Sequence, residues 1–438
     1  TLRVNAGIDR AAQSRKTYQP KSTLNGYNLQ GVASVYGMDN NQYLLEATAT
    51  YLKTFAKIHK ISLLAGTSYE QFNYEGVNAG NNNFLTDGFI YNNLGAGGGN
   101  KIVGSGSSEN KMLSYFFRAN YILKDRYLLT ATLRSDGASV FARNHKWGYF
   151  PSVALGWTIS EENFMAKASD WLSMLKLRLS WGQTGNADIS TNAFASYYAQ
   201  EAYNKEDKSK QIGVFQGRLE NPDLKWETNI TANLGLDMGF FDQRLQLTVD
   251  IYNVETKGLL LDAPIPQLSG FKNMMINAGK TNNKGVEVSI TSHNIHTRDF
   301  TWTTNINLAH NKNKVKELYM SDYMESVSGW AQTSEFNKSD YMIRVGQSLG
   351  QMYGYRLKGI YTMDDFTYDA NQQKYILKEG IPYDKSRYPK PGYWKFEDID
   401  KNGEITDKDR EVIGNANPKL YGLSLIHISE PTRPEPIS

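Results

Sequence analysis

Tyr115-Phe-Phe-Arg-Ala-Asn-Tyr-Ile-Leu-Lys-Asp-Arg-Tyr-Leu-Leu-Thr-Ala-Thr-Leu-Arg134 decides the fold. Tyr115, Phe117, Ala119, Tyr121 and Leu123 fall on one face of an extended chain, with Arg118 and Asn120 on the other. Lys124-Asp125-Arg126 has the composition of a tight turn. Beyond it Tyr127, Leu129, Ala131 and Leu133 resume the apolar face, against Thr130, Thr132 and Arg134. A period of two over about ten residues predicts paired strands with one apolar and one polar face.

The same alternation recurs in both directions. Upstream, Ala47, Ala49 and Tyr51 oppose Glu46, Thr48 and Thr50, and Ile61, Leu63, Ala65, Thr67 and Tyr69 continue it. Downstream come Val153, Leu155, Trp157 and Ile159, then Leu175, Leu177, Leu179 and Trp181. Ile230 to Met238 and Leu245 to Ile251 form the longest pair, turning at Asp242-Gln243. Two further strands are expected near Val286–Ile290 and Trp302–Leu308. Soluble sandwiches also alternate, but their strands average about 5–6 residues, and many runs here are nearly twice that.

Between the strands, short polar turns alternate with long stretches rich in Gly and Asn: 78–110, 184–221 and 321–340. Short turns at one end and long loops at the other mark an outer-membrane barrel. In lipid every backbone donor needs a partner, which only helices and closed barrels provide. No run of about 18 apolar residues suggests a transmembrane helix, whereas a membrane strand needs only about 9–11 residues. The expected fold is therefore all-β: a partial transmembrane β-barrel of about 12–14 long antiparallel strands with long extracellular loops. On this pattern Leu129, Ala131, Leu234, Leu236, Leu247 and Val249 face lipid, while Thr130, Asn233 and Thr248 face the lumen. A passive porin-like channel and a soluble surface-binding β-protein, adhesin-like or lectin-like, are the alternatives.

Composition narrows the function. Lys and Arg number 48 against 45 Asp and Glu, a net charge of +3 that argues against a nucleic-acid binder. With no Cys there is no disulfide framework, no Cys-ligated zinc and no thiol nucleophile. No HExxH, no G-x-S-x-G and no placeable acid pair supports catalysis, so no enzyme is expected.

Several stretches resemble the SusC/RagA family of TonB-dependent outer-membrane transporters, typical of Bacteroidota. They are Arg126 to Phe141, Trp147 to Trp157, Leu175 to Asn186, Asn221-Pro-Asp-Leu-Lys-Trp-Glu-Thr228, Gly239-Phe-Phe-Asp242, Asn282-Asn-Lys-Gly-Val-Glu-Val288 and Gly414-Asn-Ala-Asn-Pro-Lys419. Their order and spacing match across most of 43–421. The resemblance implies a 22-stranded barrel in the cell outer membrane, plugged by an N-terminal domain. It implies import of large nutrients, oligosaccharide or peptide, driven through the TonB complex, with a SusD-like lipoprotein partner over the mouth. It places the plug and TonB box upstream of these residues and the last strands after them, so energy-coupling residues are not assignable here.

Both ends fit a piece of a longer protein. The opening Thr1-Leu2-Arg3-Val4 has no Met and no basic-then-apolar leader. Residues 1–423 read as the partial barrel. The Pro-rich segment 424–438 resembles translated sequencing-adapter read-through and is expected to be an artefactual tail that packs on nothing, although Tyr421 and Leu423 begin an alternation.

One site candidate has ligand spacing. No cofactor is required by the reading above, but Asp398-Ile-Asp-Lys-Asn-Gly-Glu-Ile-Thr-Asp-Lys-Asp409 reads as a Ca²⁺ loop. Asp398, Asp400 and Asn402 stand at positions 1, 3 and 5, Gly403 at the sharp turn, and Glu404 offers a carbonyl at 7. Thr406 and Asp409 stand at 9 and 12. Asp instead of Glu at position 12, and a strand-like Gly392-Tyr-Trp-Lys-Phe396 where an EF-hand has a helix, depart from the pattern. A plain Asp/Asn-Gly turn is the other reading. Gly95 to Lys101 lacks P-loop spacing and reads as a mobile surface loop. His293 and His296 are placed on opposite strand faces or in a solvated turn, not on a shared metal. Tyr69, Phe72, Tyr74, Phe89, Tyr91, Tyr197, Tyr198, Tyr203 and Trp330 have the chemistry to stack on sugar rings, but loop packing and the interfacial girdle are the better account of any one of them, and substrate-binding residues are unassigned.

Overall fold

A computed structural model describes residues 1–429 apart from 192, 196–197, 205–209, 298 and 329–338. The chain divides into two units, 1–241 with 258–277, and 242–257 with 278–438. Twelve long strands run antiparallel to their neighbours within these units.

The first unit holds β1 (Leu2–Gln19), β2 (Val32–Phe55), β3 (His59–Asn82), β4 (Ile102–Leu123), β5 (Tyr127–Ala138), β6 (Trp147–Thr158), β7 (Leu172–Asn186) and β8 (Glu227–Phe240). Each strand pairs with the next in sequence. The register lines up the alternation. Ile61, Tyr121, Leu129, Leu155, Leu179 and Leu234 stand opposite one another from β3 to β8. The next rank, on the other face, is Asn120, Thr130, Ala154, Ser180 and Asn233. Leu129, Leu155, Leu179 and Leu234 remain 39%, 52%, 46% and 42% exposed. An apolar sheet face of this extent, left bare, requires a non-aqueous neighbour.

Turn chemistry sets this register. At the β4–β5 turn Lys124 and Asp125 take φ of 54° and 58°, and the Arg126 N–H donates to Leu123 O at 3.0 Å. Two positive φ values match the right-handed twist of a two-residue hairpin. Ala56 and Lys57 repeat them between β2 and β3. The opposite strand ends carry the long connections 83–101 and 187–226. The β6–β7 connection, 159–171, is the exception on the short side and folds into single helical turns.

Strands extend further than the hydrophobic pattern indicates. β2 and β3 have 24 residues each, more than twice the ~9–11 that a membrane needs. Residues 78–82 and 102–110, expected in a loop, are paired strand: Gly80 faces Ile102 and Phe72 faces Asn110. Beyond the lipid both faces meet water, so Gly, Asn and Ser suffice and the alternation vanishes while the backbone ladder continues. β1 escaped the sequence pattern, although Leu2, Val4 and Ala6 pair with Ala49, Ala47 and Leu45.

The first unit's core lies at the long-loop end. Ala138, Val140, Phe141, Ala193 and Leu224 are buried together, with Trp226, Leu260 and Met275 packed against them. Phe141 lies 5.3 Å from the Trp226 ring, and Trp226 Nε1 donates to Lys146 O at 2.9 Å. A Cβ at Gly185 would stand 2.8 Å from the Trp226 ring, so glycine there admits the indole.

The second unit holds β9 (Leu245–Lys257), β10 (Lys280–His296), β11 (Thr301–Glu317) and β12 (Tyr421–Ser429). Leu247, Ile290 and Ile306 align, as do Val249, Val288 and Leu308, with Thr248, Ser289 and Asn307 on the other face. Asn282 is buried and donates to Asn253 Oδ1 at 2.7 Å, fixing the start of β10.

The expectation that residues from Ser424 onward pack on nothing is corrected for 424–429, while 430–438 lie outside the described residues. Ser424 to Ser429 pair with Ile306 to Thr301. Main-chain bonding to an open strand edge asks little of the side chains. Leu423 and Leu425 stand opposite Asn307 and Asn305, so their apolar side chains occupy the polar face and stay exposed.

The β11–β12 connection is a folded insert. Tyr323–Ser326, Tyr341–Arg344, Gln351–Tyr355 and Arg410–Asn415 form one sheet. Leu357–Ile360 pairs with Trp394–Phe396, and Phe366–Asp369 with Lys374–Leu377. Asn417 Nδ2 donates to Leu349 O at 2.7 Å and closes the insert before β12.

Candidate functional site

The insert carries the acidic loop. Asp398, Asp400 and Asp409 each bring one carboxylate oxygen within 4.8 Å of the others. Asp398 accepts from the N–H groups of Asn402 at 3.2 Å and Gly403 at 2.8 Å, which curls the loop. Asn402 Oδ1 accepts from Glu404 N at 2.7 Å. Gly403 takes φ of 83°, the left-handed turn that position 6 requires. Asp409 is fully buried: Oδ1 accepts from Ile399 N and Asp400 N, and Oδ2 from Thr406 N and Oγ1. Burial pushes the Asp409 carboxyl up, but these bonds outweigh it and hold it below its ordinary value. Glu404's carboxylate is 2.7 Å from Lys385 Nζ, leaving its carbonyl as the group it offers the loop. The strand expected before the loop is present at Trp394–Phe396.

Beside this loop lies a cavity of about 470 Å³. Tyr355, Tyr361, Tyr383, Tyr393, Trp394 and Phe396 line it, together with Asp384, Arg387 and Ile405. Loop and cavity share backbone, since Ile405 N donates to Tyr383 O at 3.1 Å. Tyr361 is buried and donates to Pro382 O at 2.8 Å. Burial, with Asp365 and Asp384 nearby, pushes its phenol up to about 12, so it stays neutral. Lys395 Nζ lies 2.6 Å from Asp365, and that contact leads the groups holding the Asp365 carboxyl below its ordinary value. These aromatics were missed in sequence because no alternation or motif unites them; only the clustering of Tyr and Trp from 383 to 396 hinted at them.

The other candidates resolve differently. Tyr69, Phe72 and Tyr74 belong to β3, not to a long loop, and Tyr74 Oη is 2.8 Å from Tyr36 Oη. Phe89 and Tyr91 do lie in the 83–101 connection. Tyr197 and Trp330 lie outside the described residues, as do the side chains of Tyr198 and Tyr203. The glycine-rich segment is tied down: Gly98 N and Gly99 N donate to Asn83 O and Asn82 O at 2.9 and 3.0 Å. His293 and His296 sit at the end of β10 around a bulge, against Thr303 and Thr301. Among the described residues the acidic trio is the metal-like cluster.

The polar face of the first unit carries paired charge. Arg178 meets Asp237, and Arg134 meets Asp136 at 2.8 Å and Ser114 at 2.9 Å. Polar inside and apolar outside is the arrangement of a barrel wall around a hydrated interior. The family model described as "TonB dependent receptor-like, beta-barrel" matches residues 2–400.

The chain belongs to the TonB-dependent receptor β-barrel family.

It is similar to TonB-dependent receptor P3 of Formosa agariphila, 36% identical over 408 residues, 92% of this chain and 38% of the relative. TonB-dependent receptor SusC of Bacteroides thetaiotaomicron is 34% identical over 331 residues, 73% of this chain and 30% of the relative. The chain thus spans well under half the length of these relatives. Among solved structures, the RagAB peptide transporter superposes with a TM-score of 0.72 at 22% identity, over 98% of this chain and 44% of that chain. That likeness shows the fold. The family comprises outer-membrane receptors and transporters, not enzymes. The SusC/RagA resemblance read from the motifs holds.

Proposed function

We propose that this TonB-dependent receptor segment forms part of the wall and mouth of an importer for large nutrients, oligosaccharide or peptide. Energy would come from the TonB complex, and a SusD-like lipoprotein would cover the mouth. The two-faced register carries the reading: an unbroken apolar rank on one side, and Arg178–Asp237 and Arg134–Asp136 on the other. The relatives named SusC and RagAB support the class. The test is uptake by cells carrying the full-length gene, with and without its TonB-interacting segment. Uptake that needs that segment supports active import; undiminished uptake without it would instead establish a passive channel.

We also propose that Asp398, Asp400, Asn402, Asp409 and the Glu404 carbonyl hold Ca²⁺. Ligands 2.3–2.6 Å from one ion lie no more than about 5 Å apart, which the three carboxylates satisfy. Asp409 is the weak member, because four donors already occupy its oxygens. Calcium-dependent protection of this loop from proteolysis is the measurement.

A further inference from the structure

We propose that the aromatic cavity in the β11–β12 insert is a binding cleft for a neutral oligosaccharide. Its volume of about 470 Å³ falls in the ~300–1,000 Å³ range of small-molecule sites. Six of its twelve lining residues are aromatic, in a chain that is 12% aromatic overall. Tyr361 is buried, but the other five rings are only partly covered. Trp394 is 64% exposed, at the cost of leaving a large apolar surface in water.

The walls are preorganised. The Tyr355 ring tilts against Phe396 at 5.1 Å, and the Arg387 guanidinium lies 5.1 Å from the Tyr393 ring centre. Asp384 Oδ1 accepts from Ser386 N and Oγ at 2.9 and 2.7 Å. Asp384 Oδ2, Trp394 Nε1 and Tyr393 Oη make no hydrogen bond among the described residues. The cleft therefore offers flat apolar rings beside an acceptor, a donor and a phenol. A sugar ring has the complementary surface: polarised C–H bonds on one face suit the negative face of an aromatic ring, and hydroxyls at the rim can donate to Asp384 and accept from Trp394. A purely apolar ligand would strip water from Asp384 and Arg387 without replacing it. Asp384 and Arg387 give the lining one charge of each sign, which suits a ligand without net charge.

The inference rests on the import reading only for placing the cleft at the mouth; binding is measured apart from uptake. The full-length protein in detergent would be titrated calorimetrically with maltohexaose, cellohexaose, xylohexaose and laminarihexaose, and separately with a pool of short peptides. Trp394→Ala, Trp394→Phe and Asp384→Asn would be compared, with heat-modifiable migration confirming the folded barrel. At least one hexasaccharide should bind. Trp394→Ala should weaken it about tenfold, a ring's worth of stacking, while Trp394→Phe retains most of the affinity. Asp384→Asn, at an exposed position, provides a second test and should also weaken binding. The proposal is overturned if none of the saccharides binds, if only peptides bind, or if Trp394→Ala and Asp384→Asn both leave affinity unchanged. Saccharide binding that needs Trp394, in cells showing no uptake, would sustain the cleft and defeat the import reading. Uptake with Trp394-independent binding would do the reverse.

Discussion

Arg178 on β7 and Asp237 on β8 form a two-bonded ion pair, with Nε to Oδ2 and Nη2 to Oδ1 both at 2.8 Å. Gly235, directly opposite Arg178 in the register, leaves the space that the guanidinium fills. Both side chains are partly shielded, 34% and 19% exposed. Asp237→Ala is expected to destabilise the wall by about 1–3 kcal/mol by leaving the cation unmatched. Arg178→Ala combined with Asp237→Ala should cost less than the sum of the single changes. Urea unfolding of the detergent-solubilised full-length protein measures both; strict additivity would argue against coupling.

Leu129 and Thr130 are neighbours on opposite faces of β5. Leu129 stands between Tyr121 and Leu155, whereas Thr130 Oγ1 bonds Asn120 Oδ1 at 2.8 Å. Leu129→Arg should cost about 2–4 kcal/mol and impair insertion, while Thr130→Arg should be tolerated. Membrane-integrated yield reads the difference. Equal tolerance would mean that the apolar face does not meet lipid.

Phe141 is completely buried among Ala193, Leu224 and Trp226. Phe141→Ala is expected to cost about 3–5 kcal/mol. The effect should concentrate at the loop end, seen as faster proteolysis within 187–226, while strands near the short turns keep their protection from hydrogen exchange. A uniform loss of protection would place this cluster in the folding of the whole wall.

Asp409 gives the insert an acid limit. Its folded pKa is depressed below the ordinary 3.8, so its stabilisation is fully present above that value and fades as pH falls through the lowered one. Proteolytic protection of 398–409 should stay flat from neutral pH down to about 4 and fall below it. Asp409→Ala orphans four donors and should cost more than about 2 kcal/mol at neutral pH. A loop already open at pH 5 would contradict this assignment.

Calcium should protect the same loop, because an ion bound only to the folded form stabilises it by mass action. Full-length protein digested in Ca²⁺ and in chelator should differ at 398–409. Asp400→Ala should abolish the difference and leave Asp409's hydrogen bonds to Thr406 in place. Identical digestion in both conditions would return the loop to a plain turn.

The order of the strands, their two faces and the tight turn at Lys124-Asp125 were legible because each depends on residues close in sequence. Arg126 to Phe141 and Asn221 to Thr228 were legible as motifs, but not their purpose: they converge on one core through Phe141, Leu224 and Trp226. The acidic loop was legible as a spacing, yet Asp409's engagement with Ile399, Asp400 and Thr406 was not.

By itself the sequence determined a sheet with an apolar and a polar face, since side-chain alternation is a local property of extended chain. Tertiary structure alone decided where β2, β3 and β4 end, because in water ladder bonds continue without a hydrophobic signature. It also decided that Arg178 meets Asp237, that Ser424–Ser429 lies along β11, and that rings from Tyr355 to Phe396 enclose one cleft. Those outcomes depend on register and on long returns of the chain, which bring together residues that no local period relates.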